Sequence, residues 1–269
     1  MKEMTLTLNG GTLSYRRAGQ GADVVLLHGI SSRAASWHKQ FADGELCAAC
    51  RLWAWDAPGY GESTTLTPAR PRAADYAAVL AQWLDALQLT RVLLLGHSLG
   101  AMMAAAFAAR HPERVAGLIL ADPAQGYGTA DALRREQVFN VRRAQAEDLQ
   151  DYAQRRAAQL LRPGADDADI ATVREGMRAL RRDGFLAAAR MLADDALASY
   201  LPGYRGPLAV WCGEQDGITP PQDAAALAQR TGAALHLLPA AGHASYLDAP
   251  AQFNRLLRDF VRRSAGEVS

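Results

Sequence analysis

A Gly-His-Ser-Leu-Gly segment at residues 96–100 constrains the fold of this chain more than any other feature. It directly follows an apolar run at 91–95, which is typical of a buried strand, and it precedes an alanine-rich stretch that is typical of a helix. Glycines on both sides of the serine permit a sharp, strained strand-to-helix turn with close backbone packing. The segment therefore predicts a parallel sheet that presents Ser98 at the carboxyl end of one strand.

Two later segments have the same form, an apolar run followed by a polar loop. The run at 208–212 predicts a strand, and the loop after it contains Asp216. The run at 234–238 predicts another strand, and the loop after that one contains His243. Because the carboxyl ends of parallel strands share one edge of a sheet, we expect Ser98, Asp216 and His243 to meet there, in the chain order that this serine turn requires.

These three residue types are suited to nucleophilic catalysis. A serine hydroxyl is a weak nucleophile near neutral pH and needs a base within hydrogen-bond reach, for which His243 is the candidate. A carboxylate then holds the imidazole in the required tautomer and stabilises the imidazolium, and Asp216 is the candidate for this role. Asp122 is the alternative acid, because it ends another predicted strand that begins with the apolar run at 115–120.

With these motifs the chain resembles the serine-nucleophile branch of the α/β-hydrolase superfamily, over nearly its whole length except a middle segment. Further matching segments lie at 24–30, 56–63 and 111–115. The resemblance implies that the first of these segments is a strand with an oxyanion-hole loop. The backbone N–H groups of Ile30 and Leu99 are then expected to bind the carbonyl oxygen as it becomes negative. This chemistry requires neither a metal ion nor an organic cofactor.

The order of predicted elements indicates an α/β fold with a doubly wound, mainly parallel α/β-hydrolase sheet. Alternating residues at 5–8 and 12–17 predict an N-terminal hairpin, because an Asn-Gly-Gly turn separates them. Between this hairpin and the serine turn, strands are predicted at 23–27 and 51–55 and helices near 36–46 and 72–87. The expected α/β-hydrolase core comprises residues 1–122 and 206–269, and residues 123–205 are expected to form an inserted helical cap.

The segment at 123–205 has no convincing strand pattern and contains several amphipathic helical stretches. The resemblance implies that this segment lies over the active site as a cap. Its paired arginines, at 134–135, 142–143, 155–156 and 181–182, are interpreted as solvated helix faces. A cap arginine that faces the pocket can bind a substrate carboxylate through two hydrogen bonds, and Arg190 is the candidate. Tyr127, Phe139 and Met191 are the candidate pocket-lining residues.

Composition and charge exclude several kinds of partner. The formal net charge of +1 gives no electrostatic footprint for nucleic acid, and no apolar run approaches the length of a membrane span. The three cysteines, at 47, 50 and 212, provide neither a disulfide framework nor a complete zinc site, so buried thiols are expected. Because the first residues lack the apolar region of a secretory signal, we expect a cytoplasmic enzyme, either a monomer or a homodimer, that acts on a small molecule.

The predicted function is hydrolysis of a small carboxylic ester or lactone through an acyl-enzyme on Ser98. The resemblance implies that a serine at this turn excludes the haloalkane dehalogenase and epoxide hydrolase branches, which use aspartate there. Hydrolases of the meta-cleavage products of aromatic degradation, which break a carbon–carbon bond with the same triad, are the first alternative. They commonly have asparagine where this chain has His97, which favours an ester or lactone substrate. A non-hydrolytic relative, either a lyase or a receptor for a small ligand, is the second alternative.

Overall fold

An eight-stranded sheet forms the centre of the computed structural model, which describes residues 2–266. The strands are β1 (Met4–Leu8), β2 (Gly11–Gly19), β3 (Ala22–Leu27), β4 (Cys50–Trp55), β5 (Val92–His97), β6 (Val115–Ala121), β7 (Leu208–Gly213) and β8 (Ala234–Leu238). Across the sheet they lie in the order β1-β2-β4-β3-β5-β6-β7-β8. Strand β2 pairs antiparallel with β1 and β4, and the pairs that join β4 through to β8 are parallel. The predicted doubly wound, mainly parallel α/β sheet is confirmed, with the predicted hairpin at its N-terminal edge.

Helices connect the strands, and a group of four lies between β6 and β7. Within residues 2–266 the α-helices are α1 (His38–Phe41), α2 (Gly44–Ala49), α3 (Ala73–Ala86), α4 (Leu99–Arg110), α5 (Ala132–Gln145), α6 (Leu149–Arg156), α7 (Asp167–Arg178), α8 (Arg182–Asp194), α9 (Pro221–Thr231), α10 (Ser245–Asp248) and α11 (Pro250–Gly266). Helices α5–α8 occupy the inserted segment, residues 123–205, where α5 packs against α8 and α6 against α7. Of the helices in the described residues, none combines the length and the apolarity that crossing a membrane requires.

The single helix predicted near 36–46 is divided in the structure. A 3₁₀ turn at Ala34–Trp37 leads into α1, and α2 begins only at Gly44. The division occurs at Asp43, whose side chain accepts a hydrogen bond of 2.8 Å from the Leu46 N–H and so caps α2. The aspartate therefore begins a new helix instead of continuing the first.

The central strands β3–β6 are buried along most of their length. Their runs of valine, leucine and other apolar residues suit a parallel sheet that helices cover on both faces. Trp55 of β4 stacks on Trp83 of α3 with ring centroids 6.2 Å apart, and Trp211 of β7 meets Phe253 of α11 edge to face at 5.1 Å. Burying one large apolar side chain contributes about 1.5–3 kcal/mol. These contacts stabilise the sheet whose strand ends carry the polar loops.

Helix α8 meets the loop after β4 at a contact between two glycines. A Cβ atom on Gly184 would lie 1.9 Å from the carbonyl oxygen of Gly59, so there is no room for a side chain. We expect Gly184→Ala to lower the free energy of unfolding by about 1–3 kcal/mol. Gly176→Ala on α7 is the matched control, because nothing lies within 4 Å of its added Cβ, and it is expected to be neutral or stabilising. Urea unfolding followed by circular dichroism measures both, and equal stability of the Gly184→Ala and wild-type proteins would contradict so tight a contact.

Candidate active site

The turn between β5 and α4 places Ser98 at the carboxyl edge of the sheet. Its backbone has φ 51° and ψ −117°, a strained conformation for a residue other than glycine. A Cβ atom on Gly96 would lie 2.4 Å from the Gly100 carbonyl oxygen, and one on Gly100 would lie 2.3 Å from the Leu27 carbonyl oxygen. Both glycines are therefore needed for the close packing of strand and helix, and this packing holds the serine in its strained turn.

Side chains from three different loops form a continuous chain of hydrogen bonds. Ser98 Oγ lies 2.9 Å from His243 Nε2, and His243 Nδ1 lies 2.9 Å from Asp216 Oδ2. All three side chains are buried. The structure thus brings together the three candidate residues across separations of 145 and 27 positions along the chain.

Hydrogen-bond donors hold Asp216 as a carboxylate. Burial alone would raise the pKa of this carboxyl, but hydrogen bonds from His243 and Thr219 outweigh burial and keep the pKa below its usual range. The Ile218 and Thr219 N–H groups donate to Oδ1 at 2.7 and 2.9 Å, and the Thr219 hydroxyl donates to Oδ2 at 2.7 Å. Because an ionised carboxylate only accepts, His243 Nδ1 donates to it, which leaves Nε2 free to accept the proton of Ser98 Oγ.

The alternative acid, Asp122, lies beside the site and bonds to other groups. It is fully buried and accepts hydrogen bonds from the Gly213 N–H at 2.8 Å and from the Ser245 hydroxyl at 2.5 Å. Burial and the negative charge of nearby Asp216 raise the pKa of Asp122 well above its usual value. Asp122 therefore joins the chain after β6 to the end of β7 and the start of α10, whereas Asp216 contacts the histidine.

Two further histidines shape the walls of the site. His97 Nε2 donates to the His243 carbonyl oxygen at 2.8 Å. Burial and the nearby His243 lower the pKa of His97 to about 3, so its ring is neutral at physiological pH. His28 Nε2 accepts from the Ala57 N–H at 3.0 Å, so its Nδ1 carries the proton and donates to the Gly29 carbonyl oxygen at 2.8 Å. His28 therefore fixes the loop that follows β3.

The two amides predicted to bind an oxyanion belong to the first residue of α4 and to the loop after β3. Leu99 is the first residue of α4, where N–H groups lack intrahelical acceptors and the helix end carries a partial positive charge. The loop after β3 approaches so closely that a Cβ atom on Gly29 would lie 3.0 Å from the Ser98 Cβ. The Tyr60 hydroxyl restrains this loop by donating to the Ile30 carbonyl oxygen at 2.9 Å. Ile30 and Leu99 both line the cavity that contains Ser98.

A cavity of about 570 Å³ lies between this edge of the sheet and the inserted segment. Ser98 and His243 form part of its wall. Its wall in the inserted segment includes Tyr127, Arg142, Tyr152, Arg156, Leu160 and Leu192. Tyr127, a candidate pocket residue, thus lies in this wall, and so do Arg142 and Arg156, whose arginine pairs were interpreted as solvated helix faces.

Three residues predicted for the pocket lie away from this cavity. The Arg190 guanidinium lies 3.4 Å from the centre of the Phe139 ring and donates to Glu136 Oε1 at 2.6 Å. Met191 is fully buried, and its neighbour Leu192 lines the cavity instead. The candidate pocket residues Arg190, Phe139 and Met191 are thus absent from the described cavity wall. The packing of α8 against α5 engages Arg190 with residues of α5.

Ser31 and Tyr152 are cavity residues that sequence reasoning missed. Ser31 Oγ lies 2.7 Å from Tyr152 Oη, so a hydrogen bond joins the loop after β3 to α6. The position of Ser31 directly after Ile30 was an available signal. Tyr152 lies on an amphipathic helix, and nothing in the helix pattern distinguishes a cavity residue from a core residue.

A comparison with protein families agrees with this geometry. The model described as the alpha/beta hydrolase family matches residues 24–256, which is most of the chain. The chain belongs to the alpha/beta hydrolase family. The resemblance inferred from its motifs is therefore confirmed.

Three proteins that are similar to this chain are two esterases and a hydrolase. A thermophilic esterase from Thermogutta terrifontis, solved with malate bound, is 26% identical with a TM-score of 0.86, over 98% of this chain and 99% of its own. The pimeloyl-(acyl-carrier protein) methyl ester esterase of Photobacterium profundum is 27% identical over 258 residues, 93% of this chain and 98% of its own length. The 2-hydroxy-6-oxononadienedioate/2-hydroxy-6-oxononatrienedioate hydrolase 2 of Pseudomonas putida is 38% identical over 123 residues, 45% of this chain and 42% of its own length. Several other curated relatives also match over only part of the chain, and the chain spans 29% to 48% of the lengths of these partly matched relatives.

Proposed function

We propose that this α/β-fold hydrolase cleaves a small carboxylic ester or lactone through an acyl-enzyme on Ser98. The observation that carries the proposal is the unbroken hydrogen-bonded chain from Ser98 through His243 to Asp216 at the wall of a cavity. A cavity of about 570 Å³ has the size of small-molecule sites, which favours a small ester over a macromolecular substrate.

The first step forms the acyl-enzyme. His243 Nε2 accepts the proton of Ser98 Oγ as Oγ attacks the carbonyl carbon, and the carboxylate of Asp216 stabilises the resulting imidazolium. The carbonyl oxygen becomes negative and is bound by the N–H groups of Ile30 and Leu99, and one such donor contributes about 2.7–4 kcal/mol in other enzymes. When the bond to the leaving oxygen breaks, the imidazolium returns its proton to that oxygen.

The second step hydrolyses the acyl-enzyme. Water enters, and His243 Nε2 accepts one of its protons as the water oxygen attacks the acyl carbon. The bond to Ser98 Oγ then breaks, the imidazolium protonates Oγ, and the carboxylic acid leaves. In a lactone the alcohol stays attached to the acyl chain, so the first step opens the ring and the second releases a hydroxy acid.

We assign to residues 123–205 the role of a cap over this site, with residues 1–122 and 206–269 as the core. In support, α5, α6 and α8 each contribute a residue to the cavity wall, whereas the three triad residues come from loops of the sheet. A cap that limits the entry of water strengthens the electrostatic interactions inside the site. It also shapes the part of the cavity that lies away from the serine.

Two observations favour an ester or lactone over a carbon–carbon bond. The two esterases among the relatives match over nearly the full length of both chains, whereas the Pseudomonas putida hydrolase matches over 42% of its length. In addition, position 97 is histidine, where the resemblance implies that carbon–carbon hydrolases commonly have asparagine. Both observations support the ester or lactone reaction.

A fluorophosphonate probe tests the proposal, because it reacts covalently with an activated serine. We expect one probe molecule per protein, attached to Ser98 in the tandem mass spectrum. We also expect p-nitrophenyl esters or an enol-lactone to be hydrolysed faster than a ring-fission dienone. A native protein that stays unlabelled and binds a small ligand without turnover would contradict the proposal and support a receptor. Faster turnover of the dienone would instead assign carbon–carbon cleavage.

A further inference from the structure

Two arginines of the inserted segment line the cavity that contains Ser98. Arg142 lies on α5 and Arg156 at the end of α6, and both are half-buried. Each donates a hydrogen bond to the glutamine three positions further along the chain, Arg142 to Gln145 and Arg156 to Gln159. The side-chain acceptors of these two guanidinium groups are therefore neutral amide oxygens.

Several other arginines of the inserted segment have acidic partners. Within its described residues, ion pairs are formed by Arg155, Arg178, Arg181, Arg182 and Arg190, and neither cavity arginine is among them. Burial lowers the pKa of Arg156, Tyr152 opposes this effect, and the nearby Arg142 lowers the pKa further. The two guanidinium charges thus repel each other at a partly exposed part of the cavity wall. An anion bound between them would offset this repulsion.

The rest of the cavity wall does not neutralise these charges. Among its described residues, the one side-chain carboxylate is that of Asp223 on α9, which is exposed, and Arg230 of the same helix offsets its charge. His97, which also lines the cavity, is neutral. The cavity wall therefore carries an excess of positive charge, located in α5 and α6.

Tyr152 connects Arg156 to the loop that carries one of the proposed oxyanion donors. It precedes Arg156 by about one helical turn, so the two side chains share one face of α6. The Tyr152 hydroxyl lies 2.7 Å from Ser31 Oγ, and Ser31 directly follows Ile30, whose N–H is proposed to bind the carbonyl oxygen. The two arginines and Ser98 line the same cavity, in which a ligand bound at Ser98 would lie.

We propose that Arg142 and Arg156 bind an anionic group of the substrate while Ser98 attacks the ester or lactone carbonyl of the same molecule. The inference rests on the proposed function and narrows its substrate to esters and lactones that carry a carboxylate or a similar anion. Guanidinium groups suit this task because their planar fork binds a carboxylate through two N–H groups. The anion belongs to the acyl chain or to the alcohol, and matched substrates distinguish the two.

Matched neutral and anionic esters test this proposal. The acyl pair is p-nitrophenyl pentanoate and mono-p-nitrophenyl glutarate, and the alcohol pair is phenyl acetate and 4-carboxyphenyl acetate. We expect Arg142→Gln and Arg156→Gln to lower the anionic-to-neutral ratio of kcat/KM by about ten- to a hundredfold for one pair, mainly through the KM of the anionic ester. The neighbouring variants Arg143→Gln and Arg155→Gln are the matched controls, because both residues are exposed and lie outside the cavity wall. They are expected to keep the ratio within about twofold.

An unchanged ratio in both cavity-arginine variants, or an equal loss in the control variants, overturns the proposal. Calorimetry with glutarate separates this outcome from failure of the proposed function, because binding needs no turnover. We expect Ser98→Ala protein to bind glutarate, and the added change Arg156→Gln to weaken binding by about tenfold or more. If no ester is hydrolysed but glutarate binding depends on the arginines, the proposed function fails and the anion site stands. If glutarate does not bind, or binds equally without the arginines, the anion site is refuted.

Discussion

Replacing Ser98 with alanine is expected to lower kcat for ester hydrolysis by about 10⁴–10⁶-fold. The variant lacks the oxygen that attacks the carbonyl carbon, while the amides of Ile30 and Leu99 and the cavity remain to bind the substrate. We expect the free energy of unfolding to stay close to that of the wild type, because the turn is held by the glycines on either side. Initial rates with a p-nitrophenyl ester and urea unfolding measure the two quantities.

Ser199→Ala is the control for this prediction. Ser199 is exposed and lies outside the cavity wall, so the loss of its hydroxyl is expected to leave kcat unchanged. A Ser98→Ala protein that keeps more than about one per cent of the wild-type kcat, after labelling has excluded contaminating enzyme, would show that another nucleophile performs the reaction.

Replacing Asp216 with asparagine is expected to lower kcat by about 10⁴-fold. An amide in place of the carboxylate can donate to His243 Nδ1, which favours the tautomer whose Nε2 carries a proton and cannot accept one from Ser98. It also removes the negative charge that stabilises the imidazolium. The structure supports so large an effect because Asp216 Oδ2 lies 2.9 Å from His243 Nδ1 and the surrounding N–H groups hold the carboxylate ionised.

Asp122→Asn is the matched control, since Asp122 is also a buried carboxyl at this edge of the sheet. Its hydrogen bonds to Ser245 and Gly213 predict a much smaller fall in kcat than that of the Asp216→Asn variant. If Asp122→Asn proves the more damaging change, the assignment of the acid is wrong. Steady-state kinetics of the two variants with one ester makes this comparison directly.

The pH dependence of stability separates the same two carboxyls. The folded-state pKa of Asp216 is lowered, so its carboxylate adds stability above the unfolded-state pKa, and this stability is lost as pH falls through the folded pKa. The folded-state pKa of Asp122 is raised, so its protonated carboxyl adds to the free energy of unfolding below the unfolded-state pKa. This stability is lost as pH rises through the folded-state pKa. Urea unfolding across pH measures both effects. The Asp216→Asn variant is expected to lack the decrease in the free energy of unfolding that the wild type shows as pH falls. The Asp122→Asn variant is expected to lack the decrease that the wild type shows as pH rises above the unfolded-state pKa of aspartate.

Local sequence patterns predicted the sheet and the triad because each depends on short segments. An apolar run followed by a polar loop marks a strand end, and the turn at 96–100 fixes where the nucleophile lies. The sequence favoured Asp216 as the acid with Asp122 as the alternative, since only the contacts among the loops after β6, β7 and β8 decide which carboxyl reaches the histidine. The helix predicted near 36–46 was divided because a capping aspartate resembles any other polar residue in a periodic pattern.

The lining of the cavity was the least predictable part of the site. Helical periodicity identifies an apolar face, but α5 and α8 each place some residues against the other helix and others against the cavity. The sequence therefore favoured Arg190 over Arg142 for the pocket, yet α8 directs Arg190 toward Glu136 while α5 presents Arg142 to the cavity. The arrangement of helices within the inserted segment, which no short segment encodes, determines the difference.

Rapid quenching followed by intact-protein mass spectrometry tests most directly whether an acyl-enzyme forms on Ser98. Wild-type protein mixed with excess p-nitrophenyl pentanoate is predicted to gain the mass of one pentanoyl group during the first turnover, with the group located on the Ser98 peptide, while Ser98→Ala protein gains none. Turnover by the wild type without any acylated protein, together with undiminished turnover by Ser98→Ala, would contradict the mechanism.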